Sequence, residues 1–432
     1  MGRGRWTARR DRTEVTASIS LEPNSNLNST VTVPGSKSCT ARALVMAALT
    51  DGVTRLLDPA DCDDSDYMLG GLRALGVSAT KEPSRVTVEG KAFDRPEKPL
   101  YVGNSGTAMR FLAAACATAY GEITFDGMAR MRERPIVDLV EALRAWGVDA
   151  EAPTGCPPIT IRGTGRFGGK TSVRGSASSQ YLTGLLLVAP RATRDVTIEI
   201  EGELVSKPYV DLTLAMMAER GVTATHDRYT AFHVRAGQDY RPGTFSIEAD
   251  ASGASYFLAA AAVAGGKVRV LNLSSKSHQG DARFAFVLRD MGCRVEEGPD
   301  WIEVASEGRL RGIDVDLNAM PDMAQTLAVT ALFAEGPTRI RNVANLRIKE
   351  TDRIHATATE LRKLGASVDE HDDGLDIHPG NTRAATIDTY DDHRMAMSFA
   401  LAGLRLPGVV INDPGCVSKT FPDFFARFAG LR

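Results

Sequence analysis

Two hydrophobic periodicities alternate along this chain. Short runs with apolar residues at every second position, such as Arg85-Val86-Thr87-Val88-Glu89 and Trp301-Ile302-Glu303-Val304, predict half-buried strands. Between such runs lie longer Ala-rich segments, and those at 257–263 and 323–334 are apolar nearly all round. A helix without a polar face has to be covered on every side, so these predict buried helices. Other helical segments keep a polar face and stop at glycine: Leu72-Arg73-Ala74-Leu75-Gly76, Leu143-Arg144-Ala145-Trp146-Gly147, Leu288-Arg289-Asp290-Met291-Gly292 and Leu361-Arg362-Lys363-Leu364-Gly365. A glycine just past a helix is the expected left-handed cap.

These pieces recur six times in one order, with a period of roughly 70 residues. A polar entrance leads into an Ala-rich helix, then a β-branched strand, then a second helix ending at Gly. The Ala-rich helices begin near Lys37, Ser105, Ser178, Ser252, Asp322 and Asp391. The strands begin near Val53, Glu122, Asp195, Lys267, Thr338 and Val409, and the second helices end at Gly76, Gly147, Gly221, Gly292, Gly365 and Gly430. The fold class is α/β (α+β), built of βαβαββ units with one helix inside and sheets outside. A doubly wound α/β sheet is the alternative that the pattern alone leaves open.

The length of 432 residues allows two or more domains. A composition 43% hydrophobic and 24% charged is that of an ordinary globular enzyme. A net charge of −3 argues against a general nucleic-acid binder, whose surface carries a basic excess. The six cysteines are scattered without a CxxC pair, so neither a zinc site nor a disulfide framework is expected, and a reduced cytoplasm fits. No apolar run is long enough and charge-free enough to span a membrane. The first residues carry Arg3, Arg5, Arg9, Arg10 and Arg12 with no apolar core behind them. They read as a poorly ordered tail over 1–16 rather than a signal peptide.

Charge is concentrated at the helix entrances. Lys349-Glu350-Thr351-Asp352-Arg353 puts two cations and two carboxylates ahead of a helical run at 354–364. Comparable clusters are Gly35-Ser36-Lys37-Ser38 with Arg42, Gly103-Asn104-Ser105-Gly106-Thr107, Ser178-Ser179-Gln180 and Asp391-Asp392-His393-Arg394. Unpaired N–H groups and the positive dipole end make helix N-termini suited to phosphates and carboxylates. If the units pack with approximate symmetry, these entrances face one cleft that takes small polyanions. Singly, each residue has a plainer reading. Lys37 or Lys419 alone is a solvated charge, Glu350 and Arg353 an i,i+3 helix pair, and Asp322, Ser178 and Ser179 helix caps. His393 reads as a satisfied structural histidine and Cys116 as core. Gly35-Ser36-Lys37-Ser38 lacks the first Gly and spacing of a nucleotide-phosphate loop.

The clusters together resemble the 5-enolpyruvylshikimate-3-phosphate (EPSP) synthase family of enolpyruvyl transferases. The matching stretches are Pro34-Gly35-Ser36-Lys37-Ser38, Gly103 through Arg110, Arg130-Met131-Arg132-Glu133-Arg134-Pro135-Ile136, Ser178 through Thr183, Leu204-Val205-Ser206-Lys207-Pro208-Tyr209, Lys349 through Arg353, Asp392 through Met397, and Lys419-Thr420-Phe421-Pro422-Asp423. They run collinearly over residues 29–428. The resemblance implies two similar domains of three βαβαββ units each, with buried helices and outer four-stranded sheets in an inside-out, barrel-like arrangement. Residues 1–36 and 249–432 would form the first domain and 37–248 the second, inserted one. It implies enolpyruvyl transfer from phosphoenolpyruvate (PEP) to the 5-hydroxyl of shikimate 3-phosphate, with no cofactor or metal, in a cytoplasmic monomer that glyphosate inhibits. Carried over by position, Lys37, Ser38, Arg42, Ser178, Ser179, Gln180, Ser206, Tyr209, Asp322, Asn345 and Lys349 would hold shikimate 3-phosphate. Lys37, Asn104, Gly106, Thr107, Arg130, Gln180, Glu350, Arg353, Arg394 and Lys419 would hold PEP. Asp322 would be the base and Glu350 the acid, with Lys37 or Lys419 as alternatives.

Three positions depart from the commonest family pattern: Phe111 after Met109-Arg110, Ala41 before Arg42, and Met323-Ala324-Gln325 after Asp322. Phe111 is expected to shift the helix opening at Gly106. The competing functions are a sister transferase that uses UDP-N-acetylglucosamine, a nucleic-acid end-processing protein of related architecture, and a non-catalytic anion binder. The sister enzyme commonly has a reactive Cys in a Gly-rich loop, and no such loop stands between Phe111 and Thr124, where Cys116 lies in an apolar helical run.

Overall fold

The computed structural model describes residues 17–432, so the expected tail at 1–16 lies outside the described residues. Among these, twelve α-helices run as α1 Lys37–Ala48, α2 Asp63–Ala74, α3 Gly106–Ala115, α4 Val137–Ala145, α5 Ser179–Val188, α6 Lys207–Glu219, α7 Ala251–Ala264, α8 Phe284–Asp290, α9 Ala324–Ala331, α10 Arg353–Lys363, α11 His393–Gly403 and α12 Phe424–Ala429. The odd-numbered helices are the Ala-rich ones, and they lie inside. Every residue of α3, α9 and α11 is buried. Helices α1, α3 and α5 pack on one another, as do α7, α9 and α11. Small side chains permit this closeness: a Cβ on Gly184 of α5 would stand 3.1 Å from Ala114 Cβ of α3. Helices α2, α4, α6, α8 and α10 each touch an inner helix on one side and a strand on the other.

Five of the six expected C-terminal glycines are left-handed, with φ between +84° at Gly76 and +110° at Gly292. Gly430 is the exception at φ −80°, because Leu431 N donates to Phe428 O and the helical turn continues through it.

Five sheets have four strands, and each adds one parallel edge strand to an antiparallel trio. In one of them Gly243–Ser246 runs parallel to Gly52–Leu57, which pairs antiparallel with Arg85–Gly90 and through it with Ser78–Glu82. Val86 and Val88 point inward while Arg85 and Glu89 face solvent, as the alternation predicts. The sixth sheet has three strands, Ser18–Ser20, Val410–Asn412 and Thr386–Ile387, instead of four. The strand Ser18–Ser20 takes one edge of this sheet.

The buried apolar residues form two separate cores, one from Cys39 to Ile247 and one from Leu27 and Val33 with Ala249 to Leu431. The two segments joining them lie side by side. Gly35 bridges Ala249, Ser36 N donates to Glu248 O at 2.8 Å, and Asp250 N donates to Pro34 O at 2.9 Å. Asp250 also accepts from Lys37 N at 2.9 Å, which ties the start of α1 to the start of α7. A Cβ on Gly35 would sit 1.9 Å from Asp58 O, so only glycine fits this crossing.

Candidate active site

All six inner helices aim their N-termini into one cleft between the two cores. Its main cavity encloses about 880 Å³ including the open mouth. Lys37 and Ser38 come from α1, Thr107 from α3, Ser178 to Gln180 from the start of α5, Ser252 from α7, Asp322 from the turn before α9 and Arg394 from α11. Five of these helices are capped by their own side chains: Ser36, Ser105, Ser178, Asp250 and Asp392 accept from backbone N–H groups of the first turn. Asp322 makes no cap bond; it sits in the 3₁₀ turn Pro321–Met323 with its carboxylate turned to arginines. A second cavity of about 330 Å³ adjoins the first and includes Gly106, Arg134, Glu350, Arg353 and His393 in its wall. Lys37, Thr107, Gln180, Asp322, Lys349 and Arg394 border both.

The charges are buried and mutually paired. Arg353 is 2% exposed and meets three carboxylates: Asp392 at 2.7 Å, Glu350 at 2.9 Å and Asp322 at 3.1 Å. Asp322 also accepts from Arg394 Nη2 at 2.8 Å. Burial opposes ionisation of Asp322, but Arg394, Lys349 and Arg353 outweigh it and hold the carboxyl far below its ordinary range. Glu350 is likewise disfavoured as an anion by burial, and Arg353, Arg134 and Lys419 together keep it ionised. Burial pulls Lys349 down to about 8. Lys37 is raised instead, since Asp64 and Glu350 outweigh its burial. Cations concentrated in one cleft at six positive helix ends suit it to a polyanion.

The same architecture extends to known proteins. The family model for EPSP synthase (3-phosphoshikimate 1-carboxyvinyltransferase) matches residues 21–428. The chain belongs to the EPSP synthase family. Relatives named 3-phosphoshikimate 1-carboxyvinyltransferase from Tolumonas auensis and Aliivibrio fischeri are each 51% identical, over 422 and 423 residues, covering 96% of this chain and 99% of theirs. A solved EPSP synthase from Acinetobacter baumannii superposes with a TM-score of 0.78 at 27% identity, covering 96% of this chain and 98% of that one.

Of the residues expected from the EPSP synthase resemblance, Lys37, Ser38, Arg42, Ser178, Ser179, Gln180, Ser206, Tyr209, Asp322, Asn345 and Lys349 all line the main cavity. Gly106, Thr107, Glu350, Arg353 and Arg394 line the smaller one. Lys419 and Asn104 stand behind it: Lys419 Nζ donates to Asn104 O at 2.9 Å and lies 3.7 Å from Glu350. Arg130 lies on neither cavity. Its guanidinium is spent on backbone carbonyls across the cleft, and Arg134 occupies the cavity wall instead, 3.8 Å from Glu350. Three arginines alternate through Arg130-Met131-Arg132-Glu133-Arg134, and nothing local in the sequence separates the buried one from its neighbours.

Four further residues join the EPSP synthase site without having been singled out. Asp64 is buried between Lys37 at 3.1 Å and Lys419 at 2.7 Å, where it holds the place of an anion. It belongs to the acidic entrance of α2, a cluster between strand and second helix of the kind that recurs in each unit. Arg110 donates to Gln180 Oε1 at 3.0 Å, and Asp281 accepts from Tyr209 at 2.9 Å. Tyr256 accepts from Arg394 at 3.3 Å. Two expectations need correction. His393 is buried, but neither ring nitrogen has a hydrogen-bond partner; burial and Arg394 hold it neutral. Phe111 leaves the opening of α3 intact and lies under Arg42, 5.6 Å from its guanidinium carbon.

Proposed function

We infer that this chain transfers the enolpyruvyl group of PEP to the 5-hydroxyl of shikimate 3-phosphate and releases phosphate, a step of the shikimate pathway towards chorismate and the aromatic amino acids. The observation that carries this reading is the pair of adjoining anion cavities with Asp322 and Lys37 in their common wall. Two polyanions that must react need adjacent pockets, shared cations, and a base at the junction.

In this reading shikimate 3-phosphate takes the larger cavity, its phosphate on Ser178, Ser179 and Gln180 near Ser206 and Tyr209, the rest on Lys37, Ser38, Arg42, Asn345 and Lys349. PEP takes the smaller, held by Lys37, Gly106, Thr107, Gln180, Arg353, Arg394 and Lys419, with Asn104 behind, Arg134 in the wall and Arg130 turning in from the Lys349 carbonyl. Asp322 accepts the 5-hydroxyl proton as that oxygen attacks C2. A proton is delivered to the methylene carbon, and Glu350 is the group we assign to it. Because Arg353, Arg134 and Lys419 keep it ionised, Glu350 has first to gain a proton. A bound polyanion that engages Arg353, Arg134 and Lys419 raises its proton affinity. The tetrahedral intermediate then loses a methyl proton as its C–O bond to phosphate breaks.

The paired crossings at Gly35 and Ala249 and the two separate cores support a division into two domains, 37–248 inserted into one formed by 1–36 and 249–432. We read the protein as a cytoplasmic monomer that needs no cofactor. No helix among the described residues is long and apolar enough to cross a membrane. Glyphosate, a phosphonate carboxylate of similar size to PEP, takes the PEP cavity beside Gly106 in the same reading.

The test is phosphate release from PEP by purified protein with shikimate 3-phosphate, and with UDP-N-acetylglucosamine as control. Release only with shikimate 3-phosphate, together with the enolpyruvyl ether, is the expected result. Release with neither acceptor from folded protein would overturn the reading.

A further inference from the structure

Behind the wall of the larger cavity stands a carboxylate that the reaction outlined above does not use. Asp281 lies in the 3₁₀ turn Gly280–Arg283 and is 3% exposed. One of its oxygens makes all of its hydrogen bonds: Oδ2 accepts from Tyr209 Oη at 2.9 Å and from the Ser252 hydroxyl. Tyr209 comes from α6 and Ser252 from the first turn of α7, and both line the larger cavity. The other oxygen, Oδ1, is buried without a hydrogen-bond partner, and among the described residues Asp281 forms no ion pair. A buried carboxylate without a cation is costly, so its presence points to a role at the site.

We propose that Asp281 is a positioning residue of the larger cavity: through Oδ2 it fixes the Tyr209 and Ser252 hydroxyls in the wall, and on Oδ1 it takes up a proton from solvent when a polyanion fills the cavity. The two oxygens make these roles compatible. A proton on Oδ1 leaves the lone pairs of Oδ2 with the two hydroxyls, so neither bond breaks. The charged groups acting on Asp281 are Asp322, from the turn before α9, and Arg394, from α11, while α6 presents the Tyr209 phenol and α7 the Ser252 hydroxyl. Burial and Asp322 push its carboxyl up to about 6 against the pull of Arg394, so a proton is within reach near neutral pH. A bound polyanion adds negative charge to the same low-dielectric region and raises that proton affinity further. Once neutral, Asp281 no longer repels the ligand whose wall it holds. The proposal rests on the reading that shikimate 3-phosphate occupies this cavity.

Calorimetric titration with shikimate 3-phosphate, in buffers of different ionisation enthalpy, counts the protons taken up on binding. Wild type is expected to take up more protons than Asp281→Asn, by up to one per ligand, with the largest difference just above pH 6. Asparagine keeps an oxygen for Tyr209 and Ser252 but carries no charge. The ratio of the Asp281→Asn affinity to that of wild type therefore rises with pH, and the ligand's own ionisation cancels in that ratio. Asp281→Ala strips both hydroxyls of their partner and weakens binding on the order of 10-fold, the scale of a buried polar group left unpaired, while KM for PEP changes less. Equal proton uptake by wild type and Asp281→Asn would overturn the proposal. So would an Asp281→Ala protein that binds as tightly as Asp281→Asn, since the carboxylate would then hold nothing in place. Wild-type protein that binds no shikimate 3-phosphate defeats the functional reading instead, and the same comparison with sulfate, a dianion throughout this pH range, then decides the role of Asp281.

Discussion

Replacing Gly106 by alanine tests the geometry of the smaller cavity with one carbon atom. The added Cβ would lie 2.3 Å from Arg110 Nη1 and 2.6 Å from Arg134 Nη2. An ordinary carbon–nitrogen contact is about 3.5 Å, so each guanidinium has to retreat by roughly 1 Å. Neither is free to do so without loss. Arg110 Nη1 is bonded to Gln180 Oε1 at 3.0 Å, and Arg134 Nη1 to Asn104 O and Oδ1 at 3.1 Å. A retreat of that size breaks one hydrogen bond from a charged donor to the anion, worth about 1.5–3 kcal/mol. KM for PEP then rises by about 10- to 150-fold. Gly106 is not at positive φ and α3 is capped by Ser105, so folding is little affected. Steady-state kinetics at saturating shikimate 3-phosphate is the assay, with KM for shikimate 3-phosphate as the internal control, expected to change far less. An unchanged KM for PEP would refute both the placement of Arg134 on the anion and the smaller cavity as the PEP site.

Three further outcomes follow from the buried charges. Asp322→Asn keeps the shape but removes the base, and kcat is expected to fall by about 10²- to 10⁴-fold with modest change in KM; near-normal turnover would dismiss its role. Lys349, pulled to about 8, loses its charge as pH rises through that value, so affinity for shikimate 3-phosphate falls above it. Its folded pKa lies below the unfolded one, so between about 8 and 10.5 the unfolded chain binds more protons, and the ligand-free protein gains stability from this group as pH rises. Opposite slopes for affinity and stability are the check, and Lys349→Met should flatten this group's contribution to both. Asp392→Asn leaves the buried Arg353 without its bidentate partner at 2.7 and 3.1 Å. We expect a loss of about 3 kcal/mol, and an unmoved denaturation midpoint would contradict it.

The repeat, the inner helices and the family can all be read from the order of residues. Each of these depends on short-range information. An Ala-rich segment without a polar face has to be buried wherever the chain folds, and a glycine after a helix permits a reversal at five of six places. Motifs such as Ser178-Ser179-Gln180 and Lys349 through Arg353 carry their register with them, and Ser178, Ser179, Gln180, Lys349, Glu350 and Arg353 all line the cavities. Which charges meet follows from the folded chain alone. Arg130 and Arg134 are four residues apart on one turn, yet one reaches carbonyls 219 and 220 positions away while the other faces Glu350. Asp64 becomes part of the site through Lys419, 355 positions distant. Hydrophobic periodicity is written locally because burial acts on one element at a time. Charge pairing is written only when six helix ends converge, because in a low-dielectric cleft an ion's partner is fixed by distance in space and not by distance along the chain.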